Sequence, residues 1–276
     1  MKHIKTLLLG IAILLPMALG AQTVSQRDWH WTDLRNGMET AYLQDTLWGA
    51  QRYIAVVRYN PRKFGTHLYD AQRHLCGATN VLAQRAEAAA AINGSYFNMR
   101  ELTPTTYISI DGKALGKTDP SEDFRLDGIL VVKDWRGRKV EIERYDPNTV
   151  DHIGETSHAV LSAGPILLKD GERCQGEDKG GFCTGTHPRS VIGKDAEGFI
   201  WMIVVDGRRP EYCEGMSIGM LTTLCLELGL VDALNLDGGG SSELWTEVQG
   251  TLNHPSDNRR FDREGARKVP NIVYVK

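Results

Sequence analysis

A short apolar segment that ends on a carboxylate and three consecutive glycines constrains this chain more than any other feature. Ala233, Leu234 and Leu236 lead into Asp237. Gly238, Gly239 and Gly240 follow, then Ser241 and Ser242, before apolar sequence resumes at Leu244 and Trp245. A buried strand that exits into bare glycine backbone brings that backbone close to something. Successive amides in such a turn form an anion-binding concavity, and two hydroxyls add further donors and acceptors. A tight hairpin needs only one or two glycines. Three of them, framed by Asp237 and a serine pair, read as a functional loop on a rigid support.

The same pattern recurs twice. The run Ala88 to Ile92 ends in Asn93, Gly94, Ser95, Tyr96, Phe97 and Asn98. Asn-Gly alone signals a hairpin turn, but no alternating strand follows directly. The run Phe199 to Val205 stops at Asp206, Gly207, Arg208 and Arg209.

Around these exits the chain reads as strands with interspersed helices. Tyr53 to Tyr59 is a strand, and Tyr107 to Tyr145 alternates and turns like hairpins. Residues 159–168 read as one strand, with Pro165 marking an edge or a bulge. Residues 76–87 read as a helix with Thr79 as its cap. Residues 216–229 read as a second helix, capped by Ser217 and stopped by Gly229. No linker or repeat divides the chain. The expectation is an α+β fold, a mixed, hairpin-rich sheet with interspersed helices in one domain. Residues 21–75 pack as an N-terminal segment on a domain of residues 76–276.

Bulk properties exclude some functions. The chain has 276 residues, enough for a substantial core. Its net charge of −3 gives no electrostatic case for nucleic acid or an anionic membrane surface. Lys2, His3 and Lys5 precede an apolar run from Leu7 to Leu15, and Ala18, Leu19 and Gly20 form a small-residue cleavage site. Residues 1–20 therefore read as a cleaved signal peptide, which implies a periplasmic or secreted protein without stable membrane insertion. Export permits disulfides among five cysteines. Cys174 and Cys183 flank a Gly-rich loop and are the expected pair, while Cys225 falls on a helix's apolar face as a buried thiol. No Cys/His spacing suggests zinc and no regular calcium loop is present, so neither metal nor cofactor is expected.

Five segments in order resemble the phosphodiester glycosidase family: Asn93 to Phe97, Ser162 to Leu167, His187 to Ser190, Val205 to Arg208 and Asn235 to Ser242. The likeness runs from about Arg85 to Lys276 and includes Asn253 to Ser256 and Arg267 to Asn271. Ser190 stands where many relatives carry Thr, which keeps the hydroxyl. Residues 21–75 hold no matching motif.

The resemblance implies hydrolysis of a sugar C1–O–phosphorus linkage in a glycan or sugar phosphate, with N-acetylglucosamine as a candidate sugar. Cleaving C1–O builds positive charge on the sugar and leaves a phosphate monoester. On this reading Asp237 is the first candidate for the carboxylate near C1 and Asp206 the second. Arg189 and Arg208 are candidates for the phosphate, whose oxygens a planar guanidinium holds in pairs. His187 would share the phosphate or donate a proton. Amides of Gly238, Gly239 and Gly240, with Ser241 and Ser242, would line phosphate or sugar hydroxyls, and Asn93 and Asn98 would hydrogen-bond the sugar. Each has a plainer reading. His187 before Pro188 is a common turn dipeptide, repeated at His254 and Pro255. Arg208 suits a solvated strand end, and Asp206 and Asp237 suit Asx turns. Ser241 lacks the Gly-x-Ser-x-Gly setting of a serine nucleophile. The competing function is a non-catalytic envelope protein that binds phosphorylated glycans.

Overall fold

The structure, a computed structural model, describes residues 23–71, 75–174 and 180–276. The expected signal peptide lies outside the described residues. The first strands are β1 (His30–Arg35), β2 (Met38–Leu47), β3 (Ala50–Tyr59), β4 (Thr66–Asp70), β5 (Ala90–Asn93), β6 (Phe97–Asn98) and β7 (Thr103–Pro104). Next come β8 (Ile108–Ile110), β9 (Lys113–Gly116), β10 (Gly128–Val132), β11 (Val140–Arg144), β12 (Ala159–Ala163), β13 (Ile166–Lys169) and β14 (Glu172–Arg173). The last are β15 (Arg189–Asp195), β16 (Ile200–Val205), β17 (Leu230–Asn235), β18 (Leu244–Thr246), β19 (Gly250–Thr251) and β20 (Asn271–Val275). Helices α1 (Thr79–Arg85), α2 (Val150–Thr156), α3 (Gly180–Thr184) and α4 (Ile218–Glu227) intersperse them. The fold is α+β, as the sequence suggests.

Eight strands form the central sheet in the order β1-β2-β3-β16-β15-β17-β13-β14. Two five-stranded sheets, β11-β10-β12-β8-β9 and β19-β18-β5-β20-β4, complete the body. The central strands read as unbroken apolar runs because both faces of the sheet are covered. Ala55, Val57, Met202 and Val204 enter one core with Leu130, Leu161 and Val273 of the other sheets. Ile54, Val56, Ile203 and Val205 enter another with Leu221, Leu224 and Cys225 of α4. Each such buried side chain contributes about 1.5–3 kcal/mol of transfer free energy. Burial pushes the Cys225 thiol up to about 12, which keeps it a neutral thiol.

Helix α4 forms as its sequence dictates: Ser217 Oγ accepts from Met220 N at 3.3 Å, and Gly229 ends it at φ 84°. The cap of α1 differs from expectation. Thr79 is its first helical residue and its side chain makes no cap. Glu243, fully buried beyond the glycine loop, accepts from Asn80 N at 3.3 Å. A carboxylate from distant sequence takes the amide that a local hydroxyl was expected to satisfy.

Residues 159–168 form two strands, not one. The chain breaks at Gly164 and Pro165 and passes from β12 in one sheet to β13 in another. Pro165 is not at an edge, since β13 lies between β17 and β14, but a register shift follows it between Ile166 and Leu168. The Cys174–Cys183 bridge does not form. Cys174 is a thiol within 4.0 Å of Arg144 Nη2, and the two cysteines belong to cores on opposite faces of the central sheet.

The N-terminal strands extend the central sheet and contribute an aromatic row. His30 stacks on Tyr42 at 4.5 Å and Tyr42 on Tyr53 at 5.8 Å. Tyr53 meets His254 edge-on at 4.7 Å, and His254 stacks on Phe261 at 3.9 Å. This row holds the loop after β19 against β3.

Candidate active site

Sheet order brings the polar strand exits together. In the antiparallel succession β16-β15-β17, Arg189 at the start of β15 pairs with Val205 at the end of β16, and Val191 pairs with Asn235 at the end of β17. The segments His187 to Arg189, Asp206 to Arg208 and Asp237 to Gly240 therefore leave the sheet at the same end of its strands. Strand β5 ends beside them, with Asp237 N donating to Gly94 O at 3.1 Å.

The three glycines follow from this crowding. A Cβ on Gly238 would lie 2.7 Å from Pro188 O, and one on Gly240 only 2.3 Å from Asp257 Oδ1. Gly239 has φ 63°, and a Cβ there would meet Arg208 Nη2 at 2.6 Å. Its amide donates to Pro188 O at 2.9 Å. Two glycines permit close packing, and the third also permits a left-handed backbone.

A cavity of about 260 Å³ opens over this loop, lined by Asp237, Gly238, Gly239, His187, Pro188, Arg189, Arg208, Arg125, Arg267, Phe97, Met99 and Phe182. Four guanidinium groups share it with one carboxylate. Burial pushes Asp237 up to about 6, against the opposing influence of the Ser241 hydroxyl, Arg125, the Gly238 amide and Arg267. The amide contact is direct, Gly238 N to Asp237 Oδ1 at 2.9 Å. His187 is held below the ordinary imidazole range by burial and by Arg189 and Arg208, so it is neutral at pH 7. Arg189 is only 2% exposed and burial pulls it down to about 10, which leaves it charged at neutral pH. Its Nε and Nη2 donate to carbonyls of Met216, Phe182 and Gly185, and among the described residues Nη1 has no hydrogen-bond partner.

Arg208 is exposed and held at φ 63°, a conformation that costs a non-glycine residue about 1–3 kcal/mol. Strain of this kind persists where the surroundings impose it, here through packing against Gly239. Arg125 lies over the Tyr96 ring at 3.9 Å and pairs with Glu122. Tyr96 is fixed in turn by its hydroxyl, which donates to Gly164 O at 2.6 Å. The Gly-Pro segment thus serves the site indirectly. A Cβ on Gly164 would strike Arg125 O at 2.4 Å.

The structure divides the expected site residues. Asp237, His187, Arg189, Arg208, Gly238 and Gly239 line the cavity, while Asp206, Asn93, Asn98, Gly240, Ser241 and Ser242 do not. Asp206 is buried and fully engaged: it accepts from Asn253 Nδ2 at 2.9 Å and His254 N at 2.9 Å, and pairs with His254 Nδ1 at 2.9 Å. Burial raises its pKa and those contacts oppose the rise. Asn93 is a buried strut, donating to Asp237 O at 2.6 Å and accepting from Ser190 Oγ at 2.7 Å. Asn98 caps its own turn by accepting from Arg100 N and Glu101 N at 2.9 and 3.1 Å. Ser241 and Ser242 are each 1% exposed behind the loop. Sequence reasoning missed Arg125, Arg267, Phe97, Met99 and Phe182. Phe97 and Arg267 fell inside segments that carried the family likeness, but nothing in the sequence around Arg125 or Phe182 signals a site.

Among solved structures, the catalytic domain of zebrafish N-acetylglucosamine-1-phosphodiester alpha-N-acetylglucosaminidase, auto-inhibited by its pro-peptide, is similar with TM-score 0.68 and 18% identity. The match covers 94% of this chain and 90% of that one. A hypothetical protein from Synechocystis is similar with TM-score 0.63 and 18% identity, covering 90% of this chain and 64% of that one. A protein of Burkholderia pseudomallei K96243 gives TM-score 0.64 and 15% identity over 82% and 74%. At these identities the likeness concerns the fold. The SPbeta prophage-derived uncharacterized protein YomE of Bacillus subtilis (strain 168) is 40% identical over 72 residues, which are 26% of this chain and 11% of YomE. The sequence model described as phosphodiester glycosidase matches residues 86–276, more than half of the chain, and the protein belongs to that family.

Proposed function

We propose that the protein is an exported glycoside hydrolase that cleaves a sugar-1-phosphodiester, releasing free sugar and a phosphomonoester. The observation that carries this reading is the meeting of Asp237 with Arg125, Arg189, Arg208 and Arg267 in one cavity. Four cations suit a phosphodiester and the monoester dianion it becomes, while Phe97, Met99 and Phe182 supply apolar surface for a sugar face. In the proposed step the C1–O bond breaks and its electron pair moves to the phosphate oxygen. Water attacks C1 and gives its proton to Asp237. The phosphate leaves as an anion stabilised by the guanidinium groups, so a second protonating carboxylate is not required. Neutral His187 donates an N–H hydrogen bond to a phosphate oxygen. The zebrafish neighbour's name points to N-acetylglucosamine as the sugar to try first.

The test is release of N-acetylglucosamine from N-acetylglucosamine-1-phosphomethyl ester by wild type and Asp237→Asn. Loss of about 10²–10⁴-fold in kcat in a folded variant supports the assignment. Equal rates remove Asp237 from the mechanism, and binding without release by wild type favours a glycan-binding protein. Export rests on the basic, apolar and small-residue order of the first twenty positions. Mass spectrometry of the secreted or periplasmic protein should find a mature chain starting near Ala21, and an unprocessed cytoplasmic chain would refute export.

A further inference from the structure

A second opening of about 440 Å³ lies beside the first, lined by Arg208, Arg209, Ser256, Asp257, Arg259 and Arg267. Arg208 and Arg267 line both, so the openings share a wall. Among the described residues the one acid in the lining, Asp257, is already engaged by Arg267 Nε at 3.2 Å and Nη2 at 2.5 Å. Among the described residues Arg208, Arg209 and Arg259 form no ion pair. Like charges gathered in one depression repel, and Asp257 pairs with Arg267 alone among the four arginines.

Two further observations point to a ligand. Among the described residues Arg209 Nη2 and Ser256 Oγ are buried without a hydrogen-bond partner, and Ser256 is only 7% exposed. A buried donor left unpaired destabilises the fold until an acceptor arrives. Arg259, like Arg208, adopts left-handed backbone, at φ 61°. Both guanidinium groups are thus presented to the second opening by strained backbone. Among the described residues no aromatic or aliphatic side chain lines this opening, in contrast to the first. Its chemistry suits an anion, not a sugar face.

We propose that the opening lined by Arg209, Ser256 and Arg259 is an anion subsite that holds a second phosphate on the leaving side of the scissile phosphodiester. This rests on the proposed function for which bond is cleaved. The substrate class then narrows to sugar-1-phosphodiesters whose released half carries a further phosphate, as in a diphosphate linkage or a chain of repeating phosphodiesters. The Arg209 and Arg259 forks and the Ser256 hydroxyl hold its oxygens, and Arg208 bridges the two phosphates.

Two measurements test this. The first compares N-acetylglucosamine-1-phosphomethyl ester with N-acetylglucosamine-1-phosphoglycerol 3-phosphate. The second compound should show a KM about tenfold lower. Arg209→Gln and Arg259→Gln should each remove most of that advantage, leaving kcat and the methyl ester's KM unchanged. Equal KM values for the two compounds, or an advantage that survives both substitutions, would overturn the proposal. The second measurement is calorimetric binding of inorganic tripolyphosphate, which needs no turnover. Wild type and Asp237→Asn should both bind it, and the Arg209→Gln/Arg259→Gln double variant, checked for an unchanged Tm, should bind at least tenfold more weakly. Binding indifferent to the two arginines, or no binding at all, removes the subsite whether or not any sugar is released. If no ester is hydrolysed yet tripolyphosphate binding still depends on Arg209 and Arg259, the hydrolase reading falls and the anion subsite stands.

Discussion

Two aspartates end neighbouring strand exits, yet their surroundings assign them opposite work. Asp237 lines a cavity and retains acceptor capacity, whereas Asp206 spends its oxygens on Asn253 and His254. Asp206→Ala should therefore destabilise the protein by about 3 kcal/mol, because it removes the acceptor of the Asn253 amide and the His254 backbone N–H and the partner of the His254 ring. Activity per folded molecule should fall far less than in Asp237→Asn, as thermal melts combined with active-site-normalised kinetics would reveal. The pH behaviour of Asp237 gives a second check. With its pKa pushed from 3.8 up to about 6, the anion that the proposed step requires forms as pH rises through 6. We predict that kcat/KM rises through that range and levels above it. The stability consequence has the opposite sign. A carboxyl whose pKa is raised on folding contributes stability that is present below 3.8 and lost as pH rises through 6. Asp237→Asn should accordingly melt a few degrees above wild type at pH 8, and the two should converge near pH 4.

Between residues and fold, the glycine loop and α1 behave as one element. Glu243 leaves the loop, caps α1 through Asn80 N and accepts from Thr251 Oγ1 at 2.8 Å. Glu243→Ala should lower stability by about 2–4 kcal/mol, read by chemical denaturation, since it opens a cavity and strands two donors. Gly238→Ala should act on the same loop from the other side. Its methyl group would sit 2.7 Å from the Pro188 carbonyl, a backbone atom that cannot rotate away. The loop must lift, and we expect a KM increase of at least tenfold with a smaller loss of kcat. An unchanged KM would mean that the loop's height over β15 does not set substrate contact.

At the scale of the molecule, the family-matched region lacks two of its sheet partners. Residues 86–276 leave out β3, which pairs with β16 over its full length, and β4, which pairs with β20. A fragment of residues 86–276 would expose the apolar flank of β16 and lose Tyr53 beneath His254. It should be insoluble or molten by circular dichroism and dye binding, while the chain from Thr23 onward folds.

Much of this was written locally. The strand from Tyr53 to Tyr59, helices α1 and α4, the Ser217 cap, the Gly229 stop and the Asp237 loop are legible because hydrophobic period, capping and glycine geometry act over a few residues, whereas α2 and α3 were not read from the sequence. The in-order segments from Asn93 to Ser242 carried the family for the same reason. Tertiary structure decided what depends on neighbours distant in sequence. It moved Asp206, Asn93 and the serine pair from the cavity into the supporting network, and recruited Arg125 and Arg267 to the cavity wall. It split residues 159–168 between two sheets and set Cys174 and Cys183 on opposite faces. The order β16-β15-β17 determines which polar exits meet, and burial then determines which of their side chains remain open to a substrate. A residue's type specifies the chemistry it can perform, but only packing specifies whether its polar atoms are already satisfied.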